Sequence, residues 1–209
     1  MRNKILPVYL ENSFERLYGN FGYRFAALLL ETLILLPSTL VVLFINSTNL
    51  YNHYYTLPLN FVLLLFYYVY LPVRYGATPG KMIMGLQILK LDGTPIGYKE
   101  SFLRYLPMFA IGIISVIINL IGLLYADADT YNTLPWVQKQ QYIQSFTSPW
   151  NYINIGVINL VYFGSFIYYM LDDRNRSLSD VIGGTVVVKS NLIIDIEDWV
   201  EQNQKEVSN

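Results

Sequence analysis

The chain contains no cysteine and only one histidine among its 209 residues. The absence of cysteine excludes disulfides, thiol nucleophiles and thiolate metal sites, although it leaves the redox compartment undecided. The single histidine, His53, falls in a loop predicted to be exposed, with no second histidine or carboxylate near it in the sequence. A metal site is therefore not expected. Neither a Ser-His-Asp pattern nor an HExxH motif occurs, so we expect no enzyme activity and no cofactor.

Charged residues are also scarce, at 14% of the chain, whereas soluble domains carry about 25%. Hydrophobic residues make up 54% and fall in long blocks, which is typical of a membrane protein. The net charge is −1 and the basic residues are spread over several segments, so we expect the lipid bilayer, and no nucleic acid, as a partner.

Four apolar runs are long enough to predict four transmembrane helices, since a membrane helix needs about 20 mostly apolar residues. The predicted spans cover residues 21–45, 57–74, 103–125 and 152–171. The expected fold class is an all-α polytopic membrane protein with a small cytoplasmic β-hairpin or strand element. We expect a single membrane domain over residues 1–190 and an acidic cytoplasmic tail over residues 191–209.

The distribution of lysine and arginine predicts the orientation of these spans. Of the 14 basic residues, only Lys139 falls in the loops that follow spans one and three. Positively charged loops remain in the cytoplasm, so both termini and the middle loop are expected there. The first apolar run is too long for the apolar region of a signal peptide, and we expect it to remain as an anchor.

Two segments outside the spans have a pattern of their own. In the middle loop, Leu86–Leu89 leads to the turn dipeptide Asp92-Gly93 and then to Thr94–Ile96, which predicts a short hairpin. The β-branched segment Thr185–Val188 is a candidate to pair with it. Near the N-terminus, apolar residues at helical spacing predict a short interfacial helix that leads into span one: Phe14, Leu17, Tyr18 and Phe21.

The segment GATPGK, residues 76–81, partly matches a phosphate-binding loop. Its glycines are four residues apart rather than five, and Met82 stands where serine or threonine would bind magnesium. We therefore expect no nucleotide binding. Pro79 instead predicts the first turn of a short amphipathic helix at the membrane surface, over Lys81–Met84.

The charges within and beside the apolar runs are the candidate functional residues. Arg24 and Glu31 are seven residues apart, so they share a helix face at a separation of about 10 Å. A charge at membrane depth costs about 2.5–3.5 kcal/mol, so each should face protein, water or an opposite charge. Asp180 follows span four beside an apolar segment and is the best candidate to pair with Arg24. Asn119, Asn154 and Asn159 are possible supporting polar groups if they face the same cavity.

Three blocks resemble the RDD family of small bacterial membrane proteins, whose name comes from one arginine and two aspartates. The blocks are YRFAALLLETLILLP, GATPGKMIMGLQILKLDGTPIGYKESFLRYL and DDRNRSLSDVIGGTVVV. The resemblance places the arginine at Arg24 and the last aspartate at Asp180, with Glu31 in place of the first aspartate. A histidine often precedes the last aspartate in the family; here it is Ser179. The resemblance implies a bacterial inner-membrane location and a transport-related role, with no established enzyme activity.

Two functions from different classes follow. In the first, the chain moves a small cation or couples solute movement to protons, using the cluster of Arg24, Glu31 and Asp180 as an ion-binding site. Four spans make a narrow pathway, so a homo-oligomer or a membrane partner is expected. In the second, the chain is a non-transporting scaffold or accessory subunit, and the cluster is a structural ion-pair lock. A membrane enzyme is a third hypothesis, and only the acidic residues after span four favour it.

Overall fold

The computed structural model describes residues 5–9 and 15–208. In chain order the elements are α1 (Phe21–Thr48), α2 (Asn52–Leu65), a π-helical turn (Phe66–Tyr70), α3 (Leu71–Tyr75), α4 (Pro79–Ile83), β1 (Leu86–Lys90), α5 (Tyr98–Tyr125), α6 (Ala128–Thr133), α7 (Trp136–Ser145), α8 (Ser148–Leu171), α9 (Leu178–Gly183), β2 (Thr185–Lys189), a 3₁₀ turn (Ser190–Leu192) and α10 (Ile193–Ser208). The predicted fold class, a helical membrane protein with a small β element, is confirmed.

Four helical stretches within the described residues are long and apolar enough to cross a membrane. They are Phe21–Thr48, Asn52–Tyr75, Tyr98–Tyr125 and Ser148–Leu171, with mean hydropathies of 2.4, 1.6, 2.4 and 1.4. Each of these helical stretches contains one predicted span and extends three to five residues beyond at least one end of it. The extension is expected because hydrogen-bonded helix continues through polar residues after the apolar run has ended.

The chain divides into two compact units. The first consists of Met1–Ile34, Leu65–Leu106 and Gly164–Asn209, and we call it the sheet unit because it holds both strands. The second consists of Leu35–Leu64 and Pro107–Phe163, and we call it the helical unit.

The strands of the sheet unit form an antiparallel pair, from Leu86 opposite Lys189 to Lys90 opposite Thr185. The prediction that Thr185–Val188 pairs with the middle loop is therefore confirmed. The predicted hairpin within that loop is reduced to a turn, with a single bridge between Leu89 and Pro95. Proline has no amide hydrogen to donate, so the second strand cannot continue there.

The segment that precedes α1 is extended where the sequence predicted a helix. The backbone amide of Gly19 donates to the Val187 carbonyl at 3.0 Å, and that of Lys189 donates to the Leu17 carbonyl at 2.9 Å. Helical spacing was misleading because Leu17 and Tyr18 are buried by the sheet rather than by a membrane surface. Phe14, the first residue of that prediction, lies outside the described residues.

The sheet carries a small apolar core. Its members come from both strands, the N-terminal segment and the C-terminal helix: Leu6, Leu17, Tyr18, Leu89, Val186, Val188, Leu192 and Ile196. Ile196 is fully buried, so α10 packs on the sheet through this residue. The strand register and this packing fix the position of Thr185 and of the helix α9 that precedes it.

In the helical unit, Leu50, Leu123, Tyr131 and Ile143 form a buried cluster. The prediction that His53 lies in an exposed loop is wrong: it belongs to the first turn of α2 and is only 5% exposed. Its Nε2 lies 3.2 Å from the Tyr131 hydroxyl, which donates to the Asn46 carbonyl at 2.9 Å. His53 is thus a hydrogen-bonded core residue in this unit.

Candidate functional site

Asp180 is held in place by the first turn of α9. Ser177 caps this helix, because its hydroxyl accepts from the Asp180 amide while the Asp180 carboxylate accepts from the Ser177 amide at 2.8 Å. This reciprocal arrangement satisfies two amides that a helix start otherwise leaves without partners. The cap also fixes the direction of the Asp180 side chain, which is completely buried.

Arg24 reaches this carboxylate from the first turn of α1. Its Nη1 lies 2.7 Å from Oδ2 of Asp180, and its Nε donates to the Gly19 carbonyl at 3.2 Å. The guanidinium also lies over the ring of Tyr169, 5.3 Å from its centroid. The structure therefore brings together Arg24 and Asp180, which are 156 positions apart in the sequence.

A second arginine binds the same carboxylate. Arg104, near the start of α5 and only 4% exposed, forms an ion pair with Oδ1 of Asp180. Its Nη1 also donates to the hydroxyl of Thr185 at 2.8 Å. Gly183 permits this approach, since a Cβ there would lie 2.9 Å from Cβ of Arg104. We call Arg24, Arg104 and Asp180 the arginine–aspartate cluster; it joins α1, α5 and α9.

The charges of this cluster set the ionisation of Asp180. Burial alone would raise the pKa of the carboxyl, but the guanidinium groups of Arg104 and Arg24 outweigh that effect. Together with the Ser177 amide they lower the pKa of Asp180 from 3.8 to about 2. The carboxylate is therefore ionised at neutral pH.

Glu31 lies in a different group of side chains. Its Oε1 accepts from Nζ of Lys81 at 2.7 Å and from the hydroxyl of Thr78, and Lys81 and Thr78 are themselves 3.1 Å apart. Glu31 is 5% exposed and Thr78 is fully buried. We call these three residues the lysine–glutamate cluster. In the described structure the ion-pair partner of Glu31 is Lys81, whereas the sequence suggested one cluster of Glu31 with Arg24 and Asp180.

The GATPGK segment thus supplies the partner of the membrane acid. Pro79 occupies the first turn of α4, as predicted, and the short helix packs directly on α1. A Cβ at Gly80 would lie 2.6 Å from the Ala27 carbonyl oxygen and would also overlap Cγ of Glu31. Only glycine allows so close an approach, and the approach brings Lys81 within reach of Glu31.

The asparagines that were considered as supporting groups all belong to the helical unit, while both charged clusters belong to the sheet unit. Asn154 donates to the Ser115 hydroxyl at 2.7 Å, and Asn119 donates to the Ser115 carbonyl at 3.1 Å. Asn159 is exposed. Two of the three are therefore engaged in hydrogen bonds between or within helices.

No group of three or more histidine, aspartate or glutamate side chains suited to a metal ion occurs among residues 5–9 and 15–208. Hydrogen-bond donors on lysine and arginine, rather than further carboxylates, surround both buried acids. The chemistry that such sites offer is charge pairing.

Four apolar helices, two of which contribute residues to buried ion pairs, define a multi-pass membrane protein with charges held inside its fold. The profile of the RDD family matches residues 18–184, and the chain belongs to this family. The matched region contains both charged clusters. Comparisons with curated proteins and with solved structures gave no match.

Sequence reasoning missed Arg104, Lys81 and Thr78. Arg104 interrupts an apolar run just as Arg24 does, in FLRYLPMF, and this position was a usable signal. Lys81 lies in the GATPGK segment, whose pattern was compared only with a phosphate-binding loop and with an amphipathic helix. A buried carboxylate needs a cationic partner, and a lysine can be that partner. Several basic residues of the middle loop satisfy this requirement equally well, so the sequence does not single out Lys81.

Proposed function

We propose that the protein is a transport component of the cell membrane, in which Glu31 binds a proton or a small cation in exchange for Lys81. The observation that carries the proposal is the lysine–glutamate cluster: a buried acid in one of the two most apolar candidate spans, paired with a single flexible cation. An ionisable group at such a position marks an ion or proton pathway by default.

The chemistry of the pair supports exchange. The Lys81 ammonium is a compact charge on a flexible four-carbon stem, and its side chain is 15% exposed, so it can leave the carboxylate for water. A proton or a cation then replaces it at Oε1, with the Thr78 hydroxyl as a second oxygen ligand. The return of Lys81 would release the bound ion, which makes the two states mutually exclusive.

The proposal includes the orientation and the assembly. Both termini lie in the cytoplasm, because the basic residues concentrate in the N-terminal segment, the middle loop and the C-terminal segment. Only Lys139 lies in the loops on the other side. Four spans enclose little space, so a second copy or a membrane partner completes the pathway.

Proton and cation fluxes in proteoliposomes test this function. We expect Glu31→Gln to abolish the flux, because the amide keeps the shape of the side chain but has no negative charge to hold a cation and takes up no proton at neutral pH. Glu197→Gln, at an exposed position of α10, is the matched control and should retain full flux. Equal fluxes for the Glu31→Gln protein and the wild type would contradict the proposal.

A second function, that of a scaffold or accessory subunit, is favoured by the arginine–aspartate cluster. Its carboxylate is fully buried and binds two arginines from different helices, which is the geometry of a lock. In that case Arg24→Ala and Asp180→Ala lower membrane abundance alike, and no flux appears with the wild type. Normal abundance of both variants would contradict the lock.

A further inference from the structure

The second transmembrane helix contains a π-helical turn, Phe66–Tyr70. Pro72 follows this turn and has no amide hydrogen, so it cannot donate to the Tyr68 carbonyl, which would be its acceptor in an α-helix. The hydroxyl of Ser101, a fully buried residue of α5, lies 3.2 Å from this carbonyl oxygen and 3.2 Å from that of Val69, so it supplies the missing donor. Turns of this kind occur frequently at functional sites.

Tyr67 lies on this turn and faces the lysine–glutamate cluster. The residue is only 6% exposed. Its side chain interacts electrostatically with Glu31, and its hydroxyl oxygen lies close to the Gly80 amide. Gly80 itself contacts Glu31, since a Cβ at this glycine would overlap Cγ of the glutamate. The Tyr67 hydroxyl is therefore a close neighbour of the membrane acid.

This hydroxyl is a buried donor whose hydrogen is not used. It is inaccessible to solvent and has no hydrogen-bond acceptor among the residues that the structure describes. Nearly all buried polar groups are hydrogen-bonded, so an exception requires an explanation. Thr78 and Lys81 both bind Oε1 of Glu31, and neither of them occupies Oε2. The carboxylate thus retains an oxygen to which a further donor can bind.

We propose that Tyr67 is a positioning residue of the exchange site, and that its hydroxyl donates to the Glu31 carboxylate when Lys81 leaves it. The inference rests on the exchange proposed above and adds a group that stabilises the state without Lys81. A buried carboxylate that loses its cation would otherwise remain desolvated without compensation. Because a hydroxyl hydrogen rotates, the same group donates to the ionised carboxylate and accepts from its protonated form.

Thermal unfolding of a double-mutant cycle in detergent tests this assignment without a flux measurement. Tyr67→Phe alone should not lower the unfolding temperature, because no hydrogen bond is lost while Lys81 holds the acid. In the Lys81→Met background, where the hydroxyl takes the place of the lysine, the same substitution should lower the unfolding temperature by about 5 °C. Tyr70→Phe, at an exposed position of the same turn, is the matched control and should have no effect in either background.

Proton and cation fluxes in proteoliposomes test the role of Tyr67 in exchange. Loss of a hydrogen bond to a charged group should make the state without Lys81 about tenfold less populated. We therefore expect Tyr67→Phe to lower the flux about tenfold without abolishing it. Tyr70→Phe should retain the full flux.

Different results would overturn this inference and the proposed function. Absence of flux in the wild type, or equal flux after Glu31→Gln, overturns the exchange itself. If Glu31→Gln stops the flux while Tyr67→Phe leaves it unchanged, only the role of Tyr67 is wrong. An equal effect of Tyr67→Phe on stability with and without Lys81 also contradicts that role. If the Lys81→Met protein does not fold, the flux of the Tyr67→Phe protein decides, because this variant keeps Lys81.

Discussion

Replacement of Asp180 by asparagine removes the charge of the arginine–aspartate cluster and keeps the size of the side chain. The amide oxygen of the new side chain can still accept from the Ser177 amide, so the cap of α9 is retained. Arg24 and Arg104 then remain beside a neutral group. The substitution therefore isolates the ion pairs from the packing and from the cap.

The expected cost follows from burial. Breaking a buried ion pair by removal of one partner costs about 3–5 kcal/mol, because the remaining charge is desolvated without compensation. Arg104 is 5% exposed in its side chain and meets this condition. Arg24 is 14% exposed and can turn towards water, which reduces its share. We expect Asp180→Asn to lower the free energy of unfolding by about 4 kcal/mol, mainly through Arg104.

Equilibrium unfolding in mixed micelles measures this loss. The matched control is Asp198→Asn, which removes an exposed aspartate of α10 and should change stability by less than about 0.5 kcal/mol. A loss below about 1 kcal/mol for Asp180→Asn would refute the reasoning, because it would mean that the arginines reach water or another acceptor at little cost.

The pH dependence provides an independent measurement on the same residue. The pKa of Asp180 is about 2 in the folded chain and 3.8 ordinarily, so the folded state favours the ionised form. Its contribution to stability is therefore complete above pH of about 4 and is lost as the pH falls through about 2. The Asp180→Asn protein should lack this part of the acid-induced destabilisation, whereas Asp198→Asn should retain it.

Two further substitutions test the packing of each unit, with thermal unfolding as the measurement. Gly80→Ala should destabilise the sheet unit by about 1–3 kcal/mol because the added Cβ has no room against α1, whereas Gly164→Ala, where a Cβ meets nothing within 4 Å, should not. Tyr131→Phe should destabilise the helical unit by about 1–3 kcal/mol because the buried His53 and the Asn46 carbonyl lose their partner. Tyr125→Phe, at a 70% exposed side chain, should be neutral, and equal effects within either pair would contradict the prediction.

The transmembrane helices could be predicted from the sequence because a bilayer imposes a length and a composition on each of them. All four predicted spans lie within observed helices. The helix ends could not be predicted as closely, since the first turn of α2, with His53, consists of polar and aromatic residues that resemble a loop. Burial of His53 depends on Tyr131, which is 78 residues away, and no local pattern carries that information.

The strands were harder to predict than the helices. The turn at Asp92-Gly93 was correctly placed, but local pattern favours the nearest strand partner along the chain. Pro95 limits that partner to one bridge, and β2, which comes much later in the chain, takes its place. The sequence indicated that Thr185–Val188 had the composition of a strand; its register depends on long-range contacts of the sheet core.

The two buried acids were both recognisable from the sequence, and their different partners separate their roles. Asp180 binds two rigid guanidinium groups and a helix cap, so release of this carboxylate would break contacts with three elements at once. Glu31 binds one lysine on a five-residue helix, and only a flexible side chain has to move to free it. Ion exchange needs a site that changes partner at low cost, whereas a lock needs the opposite. The lysine–glutamate cluster therefore suits the proposed exchange, and the arginine–aspartate cluster suits the support of the helices that carry it.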